Sequence, residues 1–203
     1  MKKQVLLASL SRQGFSKRIV EAFNKVKRED FISGEFKKYA YEDMPLSIGY
    51  GQTISQPFTI AFMLNLLELD KGKNNLKILE IGSGSGYVLA LISEIVKNKG
   101  SEIYGIERIK EIAEKSREIL KEYNNIEIMN KSGFQGLSEK APFDRILISA
   151  ACDRIPDWLF EQLNDNGIMV ASVINSVFQF KKQNDTIITK EFPGFVFVPL
   201  VEE

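Results

Sequence analysis

The chain has no histidine and a single cysteine among its 203 residues. Without histidine, the commonest general base, Ser-His-Asp and Cys-His nucleophile arrangements are excluded, as is a His-ligated zinc. Cys152 alone cannot form an intrachain disulfide or a multi-cysteine metal centre. Any reaction performed here must need little proton transfer, and no metal is expected. Net charge is also missing: 27 basic side chains cancel 27 acidic ones with no long block of one sign. Electrostatics therefore does not mark nucleic acid as a partner. No apolar run reaches the ~20 residues of a membrane span, and residues 1–10 lack the apolar core of a signal peptide. No membrane partner is expected, and the cytoplasm is the expected compartment. There are no internal repeats and no low-complexity linker. At 44% hydrophobic residues the chain can bury a full core and reads as one domain over 1–203.

What is present centres on Leu76-Lys-Ile-Leu-Glu-Ile-Gly-Ser-Gly-Ser-Gly-Tyr87. Ile78, Leu79 and Ile81 read as a buried strand and Val88 to Val96 as the following helix, which puts Gly82, Gly84 and Gly86 on the connecting turn. Glycine accepts the dihedrals of a tight turn and lets a ligand approach the backbone. A second apolar run, Ile103 to Ile106, closes on Glu107, where a carboxylate can accept from both ribose hydroxyls of an adenosine moiety. Dinucleotide sites show Gly-x-Gly-x-x-Gly; here the third glycine comes one residue early and Glu80 precedes the first. Negative charge disfavours a diphosphate at a helix N-terminus. Glu80 suits a cationic ligand, and S-adenosylmethionine, with sulfonium and ammonium charges and no phosphate, is such a ligand. A merely flexible turn would leave the strand, the helix and Glu107 unexplained, and an NAD-dependent oxidoreductase is disfavoured by the glycine spacing and Glu80.

Strands and helices continue to alternate. Arg108 to Tyr123 is predicted as a helix with a solvated Lys-rich face, Ile126 to Met129 as a strand, Phe143 to Ser149 as a strand, and Ile155 to Leu163 as a helix. Gly167 to Ser172 is a further strand after an Asn-Asp-Asn-Gly turn, followed by strands at Phe178–Phe180, Thr186–Thr189 and Phe195–Val198. This alternation predicts an α/β fold: a Rossmann-like, doubly wound, mostly parallel sheet of about seven strands with helices on both faces. The core spans 76–203. Residues 1–75 are additional and include helices over Ser16 to Val26 and Phe58 to Leu69. Between them, residues 39–57 are too rich in Gly, Pro, Ser and aromatics for one regular element yet too apolar for a disordered linker, and are expected to pack as a lid.

Asp43-Met-Pro-Leu-Ser-Ile-Gly-Tyr-Gly-Gln-Thr-Ile-Ser-Gln-Pro57, then Leu79-Glu-Ile-Gly-Ser-Gly-Ser-Gly-Tyr87, Ala141-Pro-Phe-Asp-Arg-Ile146 and the closing Phe197-Val-Pro-Leu200 resemble the protein-L-isoaspartate O-methyltransferase family, in order from about residue 10 to the end. The lid segment is far more family-specific than the glycine loop, which many methyltransferases share. The resemblance implies transfer of a methyl group from S-adenosylmethionine to the α-carboxylate of L-isoaspartyl residues in damaged proteins, with S-adenosylhomocysteine as product. The methyl ester then collapses to a succinimide whose hydrolysis returns part of the material to aspartate. The expected partners are isoaspartyl-containing peptides and proteins, acted on by a monomer.

Carried over by motif, Ser55 is the catalytic residue whose hydroxyl hydrogen-bonds the substrate carboxylate, with Thr53, Ile54, Ala150 and Ala151 at the substrate. Glu80, Gly82, Ser83, Gly84, Gly86, Glu107, Arg108, Ser132 and Gly133 are the cofactor set. Read without the resemblance, Ser55 is a turn residue or an N-cap for the helix beginning near Phe58, and Cys152 is a packed thiol with no base beside it. The chemistry agrees with the missing histidine, because a carboxylate is already ionised at neutral pH. Two departures stand out. Lys131-Ser-Gly133 replaces the family's Gly-Asp-Gly, leaving Ser132 as a weaker acceptor for the adenine amino group, and Ala171-Ser-Val-Ile-Asn175 replaces a proline- and glycine-bearing turn. The second departure leaves room for a different carboxylate acceptor, the first for a non-catalytic paralogue that binds damaged proteins.

Overall fold

Continuous apolar strands build the centre of the molecule, as expected where both faces of a parallel sheet are covered. The computed structural model describes residues 2–71, 74–97, 100–184 and 186–197. It opens with helices α1 (Lys2–Arg12) and α2 (Lys17–Lys25), two 3-10 turns (Arg28–Phe31 and Gly34–Tyr39), an antiparallel hairpin of β1 (Leu46–Gly49) and β2 (Gln52–Ile54), and helix α3 (Pro57–Leu66). Then follow β3 (Lys77–Ile81), α4 (Tyr87–Ile95), β4 (Glu102–Glu107), α5 (Lys110–Ile119), β5 (Ile126–Asn130), β6 (Phe143–Cys152), α6 (Asp157–Glu161), β7 (Leu163–Val173), β8 (Ser176–Gln183) and β9 (Thr186–Pro193).

Seven strands form one sheet in the order β5-β4-β3-β6-β7-β8-β9. The pairings from β5 to β7 are parallel, whereas β8 and β9 return antiparallel through hairpins. Alternate residues feed two cores. Ile78, Ile103 and Leu147 join α1 to α4 on one face; Leu79, Ile81, Ile106, Ile146 and Ile148 join Leu159 of α6 on the other. The sheet order reverses between β3 and β6, and ligands of open α/β sheets bind outside the carboxyl ends of the strands at such a switch point. No helix among the described residues is long and apolar enough to cross a membrane.

The predicted elements are present with shifted boundaries. α3 stops at Leu66 because Glu68 turns left-handed (φ 51°). α5 is shorter at both ends, its start delayed where the Glu107 carboxylate holds the Ile109 amide. α6 covers only Asp157–Glu161, after Pro156 at its N-cap. The Asn-Asp-Asn-Gly stretch does not precede β7 but lies within it, at a break in its register with β6. Phe195–Phe197 is not a strand: the Gly194 and Phe195 amides both donate to the Asn175 carbonyl (each 3.0 Å), and Val198 lies outside the described residues, as does the rest of the closing motif.

Candidate active site

Two carboxylates organise the switch-point crevice. β3 delivers Glu80, which is 1% exposed. Its Oε1 accepts from the Ser149 hydroxyl at 2.7 Å, while Oε2 is buried without a hydrogen-bond partner among the described residues. Burial pushes this carboxyl up to about 8, the Ser149 hydrogen bond opposing and the Glu107 charge adding to the shift. An unpartnered carboxylate oxygen is costly in a dry site unless a cation or donor reaches it. The Ser83 hydroxyl, in the same cavity lining, is likewise buried without a partner among the described residues.

Glu107 ends β4 and accepts from the Gly84 amide through Oε2 (3.0 Å) and from the Ile109 amide through Oε1 (2.8 Å). A carboxylate offers about four acceptor sites, so two remain for ligand hydroxyls. The intervening loop is pinned to β4 by the Gly82 and Ser83 amides, both donating to the Ile106 carbonyl. All three loop glycines take positive φ, at 76°, 52° and 82°.

The hairpin and the residues after it roof the crevice. Ile48, Thr53, Ile54 and Ser55 line one cavity together with Glu80, Gly82, Ser83, Gly84, Glu107, Ser149 and Ala150. An adjoining groove of about 700 Å³ shares Thr53 and Ser55 and is walled by Pro45, Phe58 and Phe195 to Phe197. Ser55 thus stands where the cavity and the groove meet. Its hydroxyl makes no hydrogen bond among the described residues, and it is not a helix cap: the α3 N-cap is Gln56, and the Asp43 carboxylate takes the Phe58 amide at 2.8 Å.

Of the sequence-derived residues, Thr53, Ile54, Ser55, Glu80, Gly82, Ser83, Gly84, Glu107 and Ala150 converge on this cavity. Gly86, Arg108, Ser132, Gly133 and Ala151 do not line it. Gly86 packs on α5, where an added Cβ would come within 2.6 Å of Leu120 Cδ1. Gly133 carries the loop after β5 over Ile81, with no room for a Cβ. The Ser132 hydroxyl accepts from the Phe134 amide at 3.4 Å. Ser149 and Asp43 were missed: nothing in the local sequence shows that one faces Glu80 and the other caps a helix 15 residues on.

Fold and site together define a doubly wound α/β protein whose ligand crevice is acidic at its floor and roofed by a hairpin. The model of the protein-L-isoaspartate(D-aspartate) O-methyltransferase family matches residues 1–203, and the chain belongs to that family. Similar curated relatives are the protein-L-isoaspartate O-methyltransferases of Ignicoccus hospitalis, 41% identical over 100% of this chain and 98% of that one, and of Fervidobacterium nodosum, 42% identical over 97% and 100%. A solved structure assigned to the Plasmodium falciparum protein-L-isoaspartate O-methyltransferase, in complex with S-adenosyl-L-homocysteine, superposes with a TM-score of 0.85 at 27% identity, covering 98% of both chains.

Proposed function

We propose that the chain is a protein-L-isoaspartate O-methyltransferase in which Ser55 orients the acceptor and Glu80 and Glu107 hold the methyl donor. The observation that carries this reading is the buried, unpartnered Glu80 oxygen under a roof that presents Ser55. S-adenosylmethionine bound in the crevice supplies an electrophilic methyl group. Its cationic part fits Glu80, and ribose hydroxyls fit the spare acceptor sites of Glu107. Gly82 to Gly86 are the close-approach loop, Arg108 follows Glu107, and Ser132 and Gly133 stand on the adenine side.

The substrate carboxylate arrives ionised, so no residue has to remove a proton. Ser55 Oγ makes no hydrogen bond among the described residues and is able to donate to one carboxylate oxygen, with Thr53, Ile54 and Ala150 lining the same cavity and Ala151 following Ala150 in the chain. Residues 1–75 serve as roof and support, 76–203 as the core, and together they exclude water so that positioning carries the rate. The acceptor class is isoaspartyl-containing protein and peptide, met by a monomer in the cytoplasm.

Ser55→Ala should lower turnover on an isoaspartyl peptide by roughly 5-fold to 150-fold, the loss of about 1–3 kcal/mol of positioning. S-adenosylmethionine affinity by calorimetry should be nearly unchanged. The ratio of wild-type to variant rates should be flat from about pH 6 to 8, where the acceptor stays charged. The aspartyl twin of the peptide should accept no methyl. Wild-type turnover in Ser55→Ala would move the role elsewhere, and equal methylation of the twins would change the acceptor class.

A further inference from the structure

Arg28 is the largest of the fully buried side chains, 0% exposed. It begins a 3-10 turn behind the roof. No carboxylate pairs with it among the described residues. Its guanidinium donates instead to four carbonyls: Ala40 (2.7 Å) and Glu42 (3.4 Å) from one terminal nitrogen, Met44 (3.1 Å) and Ser55 (3.0 Å) from the other. A buried cation is expensive; four carbonyl dipoles aimed at this one offset the cost, and the nearby Asp43 charge favours it as well. Three of them enter the roof and the fourth leaves it. The guanidinium therefore closes residues 40–55 at their base.

A second contact secures the same spot. Asp43 lies between two of the bonded carbonyls and accepts from the Phe58 amide (2.8 Å) and from the Gln56 side chain (3.3 Å). Ser55 is thus fixed at its own carbonyl and again one and three residues further on. Tyr87, the first residue of α4 and part of the cavity lining, packs against Phe31 of the same 3-10 turn with ring centroids 5.3 Å apart, so the turn that carries Arg28 touches both α4 and the roof.

We propose that Arg28, seconded by Asp43, is a positioning residue for methyl transfer: it fixes the Ser55 main chain so that the hydroxyl stands at the boundary of cavity and groove. The inference rests on the reading of Ser55 given above. A lysine presents its donors from one point and cannot span two pairs of carbonyls as the planar fork does, so Arg28→Lys keeps the charge and loosens the loop.

The test is a double-mutant cycle on turnover with isoaspartyl peptide, at a temperature where every variant is folded by circular dichroism. Arg28→Lys should lower kcat on the order of tenfold while S-adenosylhomocysteine affinity changes less than about twofold. In a Ser55→Ala background the same change should cost less than about twofold, because the group being positioned is gone. A purely structural role would not produce that non-additivity. Should Arg28→Lys fail to fold, Asp43→Ala, an exposed position, carries the test with the same pattern, and Asp43→Asn, which keeps an acceptor for Phe58, should restore most of the rate. Wild-type kcat in a folded Arg28→Lys or in Asp43→Ala, or equal losses with and without Ser55, would overturn the inference alone. Wild-type turnover in Ser55→Ala would overturn the reading of Ser55 and this inference with it.

Discussion

Glu80 is the residue on which ligand and fold compete. In the free protein its ionised form lacks a partner for Oε2, and burial holds its carboxyl up to about 8. An unfolded glutamate titrates near 4.3. The folded state therefore binds the extra proton, so this group's stabilisation is complete below about pH 4.3 and disappears as pH rises through about 8. Glu80→Gln should flatten that loss and make the free protein more resistant to urea at pH 8 than the wild type. The same change should weaken S-adenosylmethionine by about 1.5–3 kcal/mol, the range for a charged hydrogen bond. Urea midpoints across pH and a calorimetric titration check both halves; a variant that is less stable at pH 8 and binds as tightly would remove Glu80 from the site. Ser149 is the residue that makes the position tolerable, since its hydroxyl satisfies the other carboxylate oxygen.

At the scale of elements, the motif Ala141 to Ile146 is a structural staple. Asp144 accepts from the Lys77 amide at 2.8 Å and from the Asn164 side chain at 3.0 Å, and Arg145 donates to the Leu67 carbonyl at 2.6 Å. The start of β3, the break in β7 and the end of α3 are thereby tied to β6, which keeps Ser149 within reach of Glu80. The β7–β8 hairpin carries a cost: Ile174, β-branched and 63% exposed, sits at φ 52° in a two-residue loop between Val173 and Ser176. A left-handed conformation costs an L-residue about 1–2 kcal/mol, and such a loop favours glycine at its first position. Ile174→Gly should therefore stabilise the protein by roughly 0.5–1 kcal/mol after the extra entropy of glycine in the unfolded chain is subtracted. Chemical denaturation checks it, and destabilisation would mean that Ile174 makes a packing contact worth more than its strain.

For the whole molecule, the roof and the core share one hydrophobic cluster, in which Leu10, Phe23, Phe31 and Ile54 pack with Ile78, Leu91 and Leu147. Residues 1–75 should then unfold together with 76–203. Trp158, the only tryptophan, reports on the core, while far-ultraviolet circular dichroism also sees α1 to α3. The two urea transitions should coincide, and S-adenosylhomocysteine at about 100 times its Kd should add about 2.7 kcal/mol to both. Separate transitions, or stabilisation of the Trp158 signal alone, would divide the chain into two units.

Local periodicity and turn chemistry were enough to read the strand, glycine loop and helix around Glu80 and the acidic end of β4, because each is a contiguous pattern tied to backbone geometry. The lid motif also marked Ser55 without showing what holds it. What the tertiary structure decided is long-range: Ser149 reaches Glu80 across 69 residues, Asp43 caps a helix 15 residues away, and Arg28 gathers carbonyls 12 to 27 residues on. The C-terminal strands turned antiparallel for the same reason, since short β runs look alike in sequence until hairpin pairing with β7 sets their direction. Hydrogen bonds between distant residues leave no periodic trace in the chain, and only the packed fold brings their partners within reach.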